Sequence, residues 1–120
     1  SDLVSASRPI NVSDFVVVEG AGGLYSPIAA QLLNVDLAIA LGLPVVIVVK
    51  DELGAINQAL LSLRVAKSHN LNVIMLVLNQ ISTNNLNNAQ AIQAYTDVRV
   101  VVFHKDNEDG FAKTILELVE

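Results

Sequence analysis

The chain has no cysteine and no tryptophan, only three prolines, and aromatic residues at 4% of its length. The missing thiols exclude disulfides and thiolate metal sites. The few aromatic rings leave little surface on which nucleobases could stack. Basic residues are also few: seven Lys and Arg stand against twelve Asp and Glu, for a formal charge of −5. A nucleic-acid footprint is therefore not expected, and the acidic balance speaks only to solubility. No apolar run is long enough to span a bilayer, and no leader pattern is visible, so a cytoplasmic, membrane-free protein is the expectation.

What is present is aliphatic. Of 120 residues, 52% are hydrophobic, with Val, Leu and Ile dominating. That content suits one small domain with a well-buried sheet, either complete or the C-terminal part of a larger one. Residues 1 to 13 carry little periodicity and read as a loop.

The chain is organised around Phe15-Val16-Val17-Val18-Glu19-Gly20-Ala21-Gly22-Gly23. Four apolar residues ending in a carboxylate and a glycine cluster read as a buried parallel strand with its ligand-facing tip. Glycines there let main-chain N–H groups approach an anion, and a carboxylate at a strand tip suits magnesium. A solvated strand end followed by a loose turn is the plain alternative.

Downstream, Ser26-Pro27 marks a turn. Val35 to Gly42 reads as a short helix closed by Gly42, and Val45 to Val49 as a second strand. Ala55 to Ser68 is a helix with Ile56, Ala59, Leu60, Leu63 and Ala66 on one face. Val73 to Leu78 is a third strand ending at Asn79. Ser82 to Asn88 reads as a mobile polar loop and Ala89 to Tyr95 as a weak helix. Val98 to Phe103 is a fourth strand and Phe111 to Val119 a terminal helix. Strands thus recur at roughly 25 to 30 residue spacing with helices between, the βαβ rhythm of a doubly wound, mostly parallel α/β sheet of at least four strands.

Val18 to Pro27 resembles the VEGAGG(L/W)xxP segment of the dethiobiotin synthetases. Leu43 to Val49, Leu53-Gly54-Ala55-Ile56-Asn57 and Val77-Leu78-Asn79 match in the same order, so the resemblance is good over residues 14 to 79 and loose elsewhere. It implies a P-loop NTPase-like fold and an ATP- and Mg²⁺-dependent ligase. Such an enzyme joins CO₂ to diaminopelargonate and closes the ureido ring in biotin biosynthesis. By the resemblance, Glu19 would bind the metal, and Gly20, Ala21, Gly22 and Gly23 would line the forming carbamate. Leu53, Gly54 and Asn57 would hold the substrate carboxylate across a homodimer interface, and Asn79 would read the adenine base. The glycine loop and the Leu53–Asn57 turn both fall at carboxyl ends of strands, on one rim of the sheet.

Departures from the pattern also count. No Gly-x-x-x-x-Gly-Lys-Ser/Thr occurs in the 120 residues, so the phosphate-cradling loop of such an enzyme is missing. The expectation is a C-terminal portion, inactive alone. Val101 to Asp106 lacks the family's Gly-x-(Ile/Leu)-Pro element, so no nucleotide contacts are carried onto it. His69 and His104 show no metal-ligand spacing. Lys50-Asp51-Glu52 reads as a solvated turn, with Asp51 a candidate helix cap. The GAGG segment is also similar to cobyric acid synthases, although the LGxxN element favours the first family. A non-catalytic dimerisation or regulatory module is the alternative from another class.

Overall fold

A computed structural model describes residues 18, 20, 22–107 and 109–110. Strand Phe15 to Val17, Glu19, Ala21, residues 1 to 13 and the helix expected at Phe111 to Val119 lie outside the described residues.

The described chain opens with a small antiparallel pair, β1 (Pro27–Ala29) and β2 (Leu32–Leu33). The sequence reading had only a turn at Pro27. The pair instead reverses at Gln31, a non-glycine residue at φ 60°. Helix α1 (Asn34–Leu41) follows. The Asp36 carboxylate accepts the Leu33 N–H at 2.9 Å, satisfying one donor left over at the helix start. Gly42 ends the helix at φ 63°, donating its N–H to the Ala38 carbonyl. That is the left-handed closure a glycine after a helix predicts.

Among the described residues three parallel strands form the main sheet, in the order β3 (Val45–Lys50), β4 (Val73–Gln80) and β5 (Val100–His104). Helix α2 (Ala55–Ser68) connects β3 to β4, and α3 (Asn88–Gln93) connects β4 to β5. A parallel pair needs such a crossover, so the expected βαβ rhythm and α/β class hold. Three of the four expected strands are thus seen, within two residues of their expected limits.

Strand alternation assigns the two faces. Ile47, Val49, Leu76 and Leu78 pack in one cluster with Ala55, Ala59 and Ala66 of α2 and Ile92 of α3. Ile56, Leu60 and Leu63 pack against the same cluster, which is the α2 face read from its spacing. Met75 and Val77, on the opposite face, are also buried, so β4 is covered on both sides. Val46 and Val48 on that second face of β3 are open, Val48 at 63% exposure.

Candidate functional site

The glycine segment forms a tight turn. Gly22 takes φ 83°, and the Ser26 N–H donates to the Gly23 carbonyl at 3.0 Å. The Gly23 N–H donates to Ser26 Oγ at 2.8 Å, so this amide is already used and does not face a free ligand position. The reading of every glycine N–H as an anion donor is corrected at that residue.

Asn34, at the start of α1, organises the same turn and was not singled out from the sequence. Its Nδ2 donates to the Gly23 carbonyl at 2.9 Å and its N–H to the Ser26 carbonyl at 2.9 Å. A Cβ on Gly20 would stand 2.9 Å from Asn34 Oδ1, so any side chain there would have to displace the Asn34 carboxamide. An asparagine entering a helix just after an apolar pair was the one signal available. Glu19 and Ala21 lie outside the described residues.

The Leu53–Asn57 turn sits at the opposite end of α2. Gly54 precedes the helix at φ 96°, a conformation that disfavours any side chain. The Ala55 N–H donates to the Glu52 carbonyl and the Gln58 N–H to the Gly54 carbonyl. Among the described residues, the N–H groups of Ile56 and Asn57 have no such partner, the usual state of a helix start. Asn57 is exposed, and Leu53 is 88% exposed.

Within one chain, the residue next to the glycine turn meets the end of α2 opposite Asn57. Tyr25 beside the glycine turn touches His69 at the carboxyl end of α2, with 3.1 Å between hydroxyl and Nε2. Asn57 and His69 are about 18 Å apart along the helix axis at 1.5 Å per residue. The single rim expected from the sequence is therefore corrected. β3 ends at Lys50, just before the Leu53–Asn57 turn, whereas Tyr25 beside the glycine turn meets the other end of the helix.

Asn79 does share the rim with the Leu53–Asn57 turn. It is half-buried in β4 beside Lys50 of β3, and its carbonyl accepts the Asp51 N–H at 2.9 Å. Among the described residues no other group bonds its side-chain amide, which keeps a donor and an acceptor available.

Asp51 departs most from the sequence reading. It is neither solvated nor the cap of α2; it is 8% exposed, and Gly54 holds the cap position. Gln80 Nε2 donates to its Oδ2 at 2.9 Å, and Asn88 Nδ2 donates to its Oδ1 at 2.8 Å. Ser82 to Asn88 is correspondingly not a free loop: Asn84 Nδ2 donates to the Asp51 carbonyl at 2.9 Å, and Asn88 belongs to α3.

His104 at the end of β5 lies 3.6 Å from the Asp106 carboxylate, and His69 contacts Tyr25. Among the described residues no three His, Cys, Asp or Glu side chains gather to hold a metal. No described helix is long and apolar enough to cross a membrane.

Residues 2–103 match the family model described as AAA domain. The chain is 52% identical over 118 residues to the ATP-dependent dethiobiotin synthetase of Ruthia magnifica subsp. Calyptogena magnifica, covering 98% of this chain and 54% of that protein. The enzyme of the same name from Vesicomyosocius okutanii is also 52% identical over 118 residues, covering 98% and 53%. That of Clostridium botulinum strain Alaska E43 is 30% identical over 105 residues, covering 82% and 46%. The chain spans about half the length of these curated relatives. No solved structure gives a significant match. The chain belongs to the AAA domain family, and within it the likeness is to the dethiobiotin synthetases.

Proposed function

We infer that this chain is part of an ATP-dependent dethiobiotin synthetase, a cyclo-ligase that makes dethiobiotin from diaminopelargonate and CO₂. The observation that carries this reading is the 52% identity, over 98% of the chain, to proteins of that name. The P-loop such an enzyme needs is not among these 120 residues, and the relatives are about twice as long. In this reading the phosphate cradle belongs to the rest of the protein. The chain alone then binds ATP weakly and does not turn over.

The residues have the following roles. Ser26 and Asn34 hold the turn at Gly23, and Gly20, Ala21, Gly22 and Gly23 line the carbamate formed on the substrate amine with nothing bulkier than a methyl group. Asn57, with the free amides of the α2 start, binds the terminal carboxylate; helix starts favour anions. Asn79 offers the paired donor and acceptor that an adenine edge requires.

Mg²⁺ would be held by one carboxylate, Glu19, together with nucleotide phosphates, the usual protein share of such a shell. When bound, the ion would neutralise phosphate charge. The chain's own contribution is positioning, and little covalent chemistry is asked of it.

The separation of the glycine turn from Asn57 supports a site shared between two chains. One long substrate with an amine end and a carboxylate end would bridge the glycine turn of one subunit and the helix start of its partner. The exposed Leu53 beside Gly54 is suited to packing at that junction. A homodimer working in the cytoplasm follows from this reading.

The test is direct. The whole protein, given diaminopelargonate, bicarbonate and MgATP, should yield dethiobiotin and ADP in equal amounts. ADP release without dethiobiotin, or no turnover at all, would overturn the assignment.

A further inference from the structure

Asp51 is a buried carboxylate with no cationic partner among the described residues. Each of its polar atoms is engaged: Oδ2 by Gln80 Nε2, Oδ1 by Asn88 Nδ2, the carbonyl by Asn84 Nδ2, and the N–H by the Asn79 carbonyl. The same Asn88 amide donates to the Glu52 carbonyl at 3.1 Å. Asn88 is itself 5% exposed. A carboxylate left in this position without an ion pair is costly unless fully hydrogen-bonded, and this one receives a donor on each oxygen.

These bonds run between two segments. One is the β3–α2 turn, which carries Asp51, Glu52 and, further on, Asn57. The other is the end of β4 with the loop after it, which carries Asn79, Gln80, Asn84 and Asn88. The loop is braced internally as well, the Leu86 N–H donating to Asn84 Oδ1 at 3.0 Å. Asparagine-rich composition alone reads as mobile, but two of its side chains, Asn84 and Asn88, are structural donors or acceptors here.

We propose that Asp51 is a positioning residue that locks the loop after β4 to the β3–α2 turn, so that the nucleotide side at Asn79 and the substrate anchor at Asn57 move as one unit. Occupancy of one position then favours occupancy of the other. This rests on the roles given above to Asn79 and Asn57. The carboxylate suits the task because it accepts on both oxygens while all its side-chain partners are amide donors. An Asn at 51 keeps the shape; its amide would face Gln80, which can turn its own carbonyl to meet it.

The measurement is made on the whole protein. Diaminopelargonate affinity is determined by calorimetry with and without a non-hydrolysable ATP analogue, and loop exchange at residues 81–87 by hydrogen–deuterium mass spectrometry. In the unaltered protein the analogue should tighten diaminopelargonate binding by at least about fivefold, the lower end of ordinary site coupling. Asp51→Ala should bring that ratio to within about twofold of unity and speed loop exchange, while Asp51→Asn should restore most of both. If Asp51→Ala fails to fold, Gln80→Met removes one donor only and should weaken the coupling to an intermediate value.

Coupling that survives in Asp51→Ala, that is undiminished in Gln80→Met, or that is absent from the unaltered protein would overturn the proposal while leaving dethiobiotin formation intact. A protein that binds the analogue but neither binds nor converts diaminopelargonate would overturn the functional reading and the coupling together.

Discussion

The Tyr25 hydroxyl meets His69 Nε2 at 3.1 Å, with the rings edge-to-face at 84°. The contact fastens the glycine-rich turn to the carboxyl end of α2, whereas Asn57 occupies the amino end. Anything that uses both positions at once must span the helix or join two chains. The pair itself is exposed, with Tyr25 at 56%. Tyr25→Phe should therefore cost under about 1 kcal/mol in a denaturant titration and leave both Michaelis constants unchanged.

Glycine positions separate strain from crowding. Gly42 lies at φ 63° with open space around a built Cβ, so Gly42→Ala should cost about 1 kcal/mol from backbone conformation alone. Gly22 lies at φ 83°, and its Cβ would fall 2.5 Å from Ser26 Oγ. Gly22→Ala should cost about 2 kcal/mol or more, since the bond holding the Gly23 turn must also shift. Urea midpoints of the two variants of the whole protein check the ordering. Equal losses would mean that the turn is not closed on Ser26.

Asn88→Asp would put a second carboxylate against Asp51. Facing like charges raise the folded-state pKa of one partner above its unfolded value. The favourable, protonated arrangement is fully present at low pH and lost as pH rises through the folded pKa. The variant should thus fall about 2 to 5 kcal/mol below the unaltered protein near pH 7.5, the range for an uncompensated buried charge. The gap should narrow toward pH 4 to 5, about where unperturbed carboxylates titrate. Stability curves of both proteins across that window decide it; a gap independent of pH would show that the carboxylates do not face each other.

These cases also mark what the sequence could and could not disclose. Helix α2 was legible to the residue, because Gly54 and the Ile56, Ala59, Leu63, Ala66 spacing carry local information. The Gly42 closure and strands β3 and β4 were legible for the same reason. The small β1–β2 pair was not, since it turns on Gln31 rather than on glycine or Asn-Gly. Burial of Asp51 was invisible, because its side-chain donors lie 29 and 37 residues away and only the fold assembles them. Lys50-Asp51-Glu52 looked solvated for want of those partners. The site residues named from the dethiobiotin synthetase pattern rest on that pattern alone. Their distribution over the two ends of α2 needed the structure.

In the proposed role of Asn57, Asn57→Ala would remove one hydrogen bond to a charged carboxylate, about 1.5 to 3 kcal/mol. The Michaelis constant for diaminopelargonate should rise about ten- to a hundredfold. That for ATP should barely move. A parallel rise in both constants would place Asn57 outside the substrate site.

The shared site, with Glu19 and the glycine turn from one chain and Asn57 from the other, is tested most directly by mixing two inactive forms. Glu19→Gln subunits, slowed by a hundredfold or more through loss of a metal-binding charge, are unfolded and refolded with an equal amount of Asn57→Ala subunits. Dethiobiotin formation is then read at a substrate concentration below the Michaelis constant of the unaltered enzyme. In a two-fold symmetric dimer each mixed pair regains one intact site, and random pairing restores about a quarter of the unaltered activity. Mixed dimers that form, as verified by native mass spectrometry, and yet recover nothing above the sum of the parents would contradict the account.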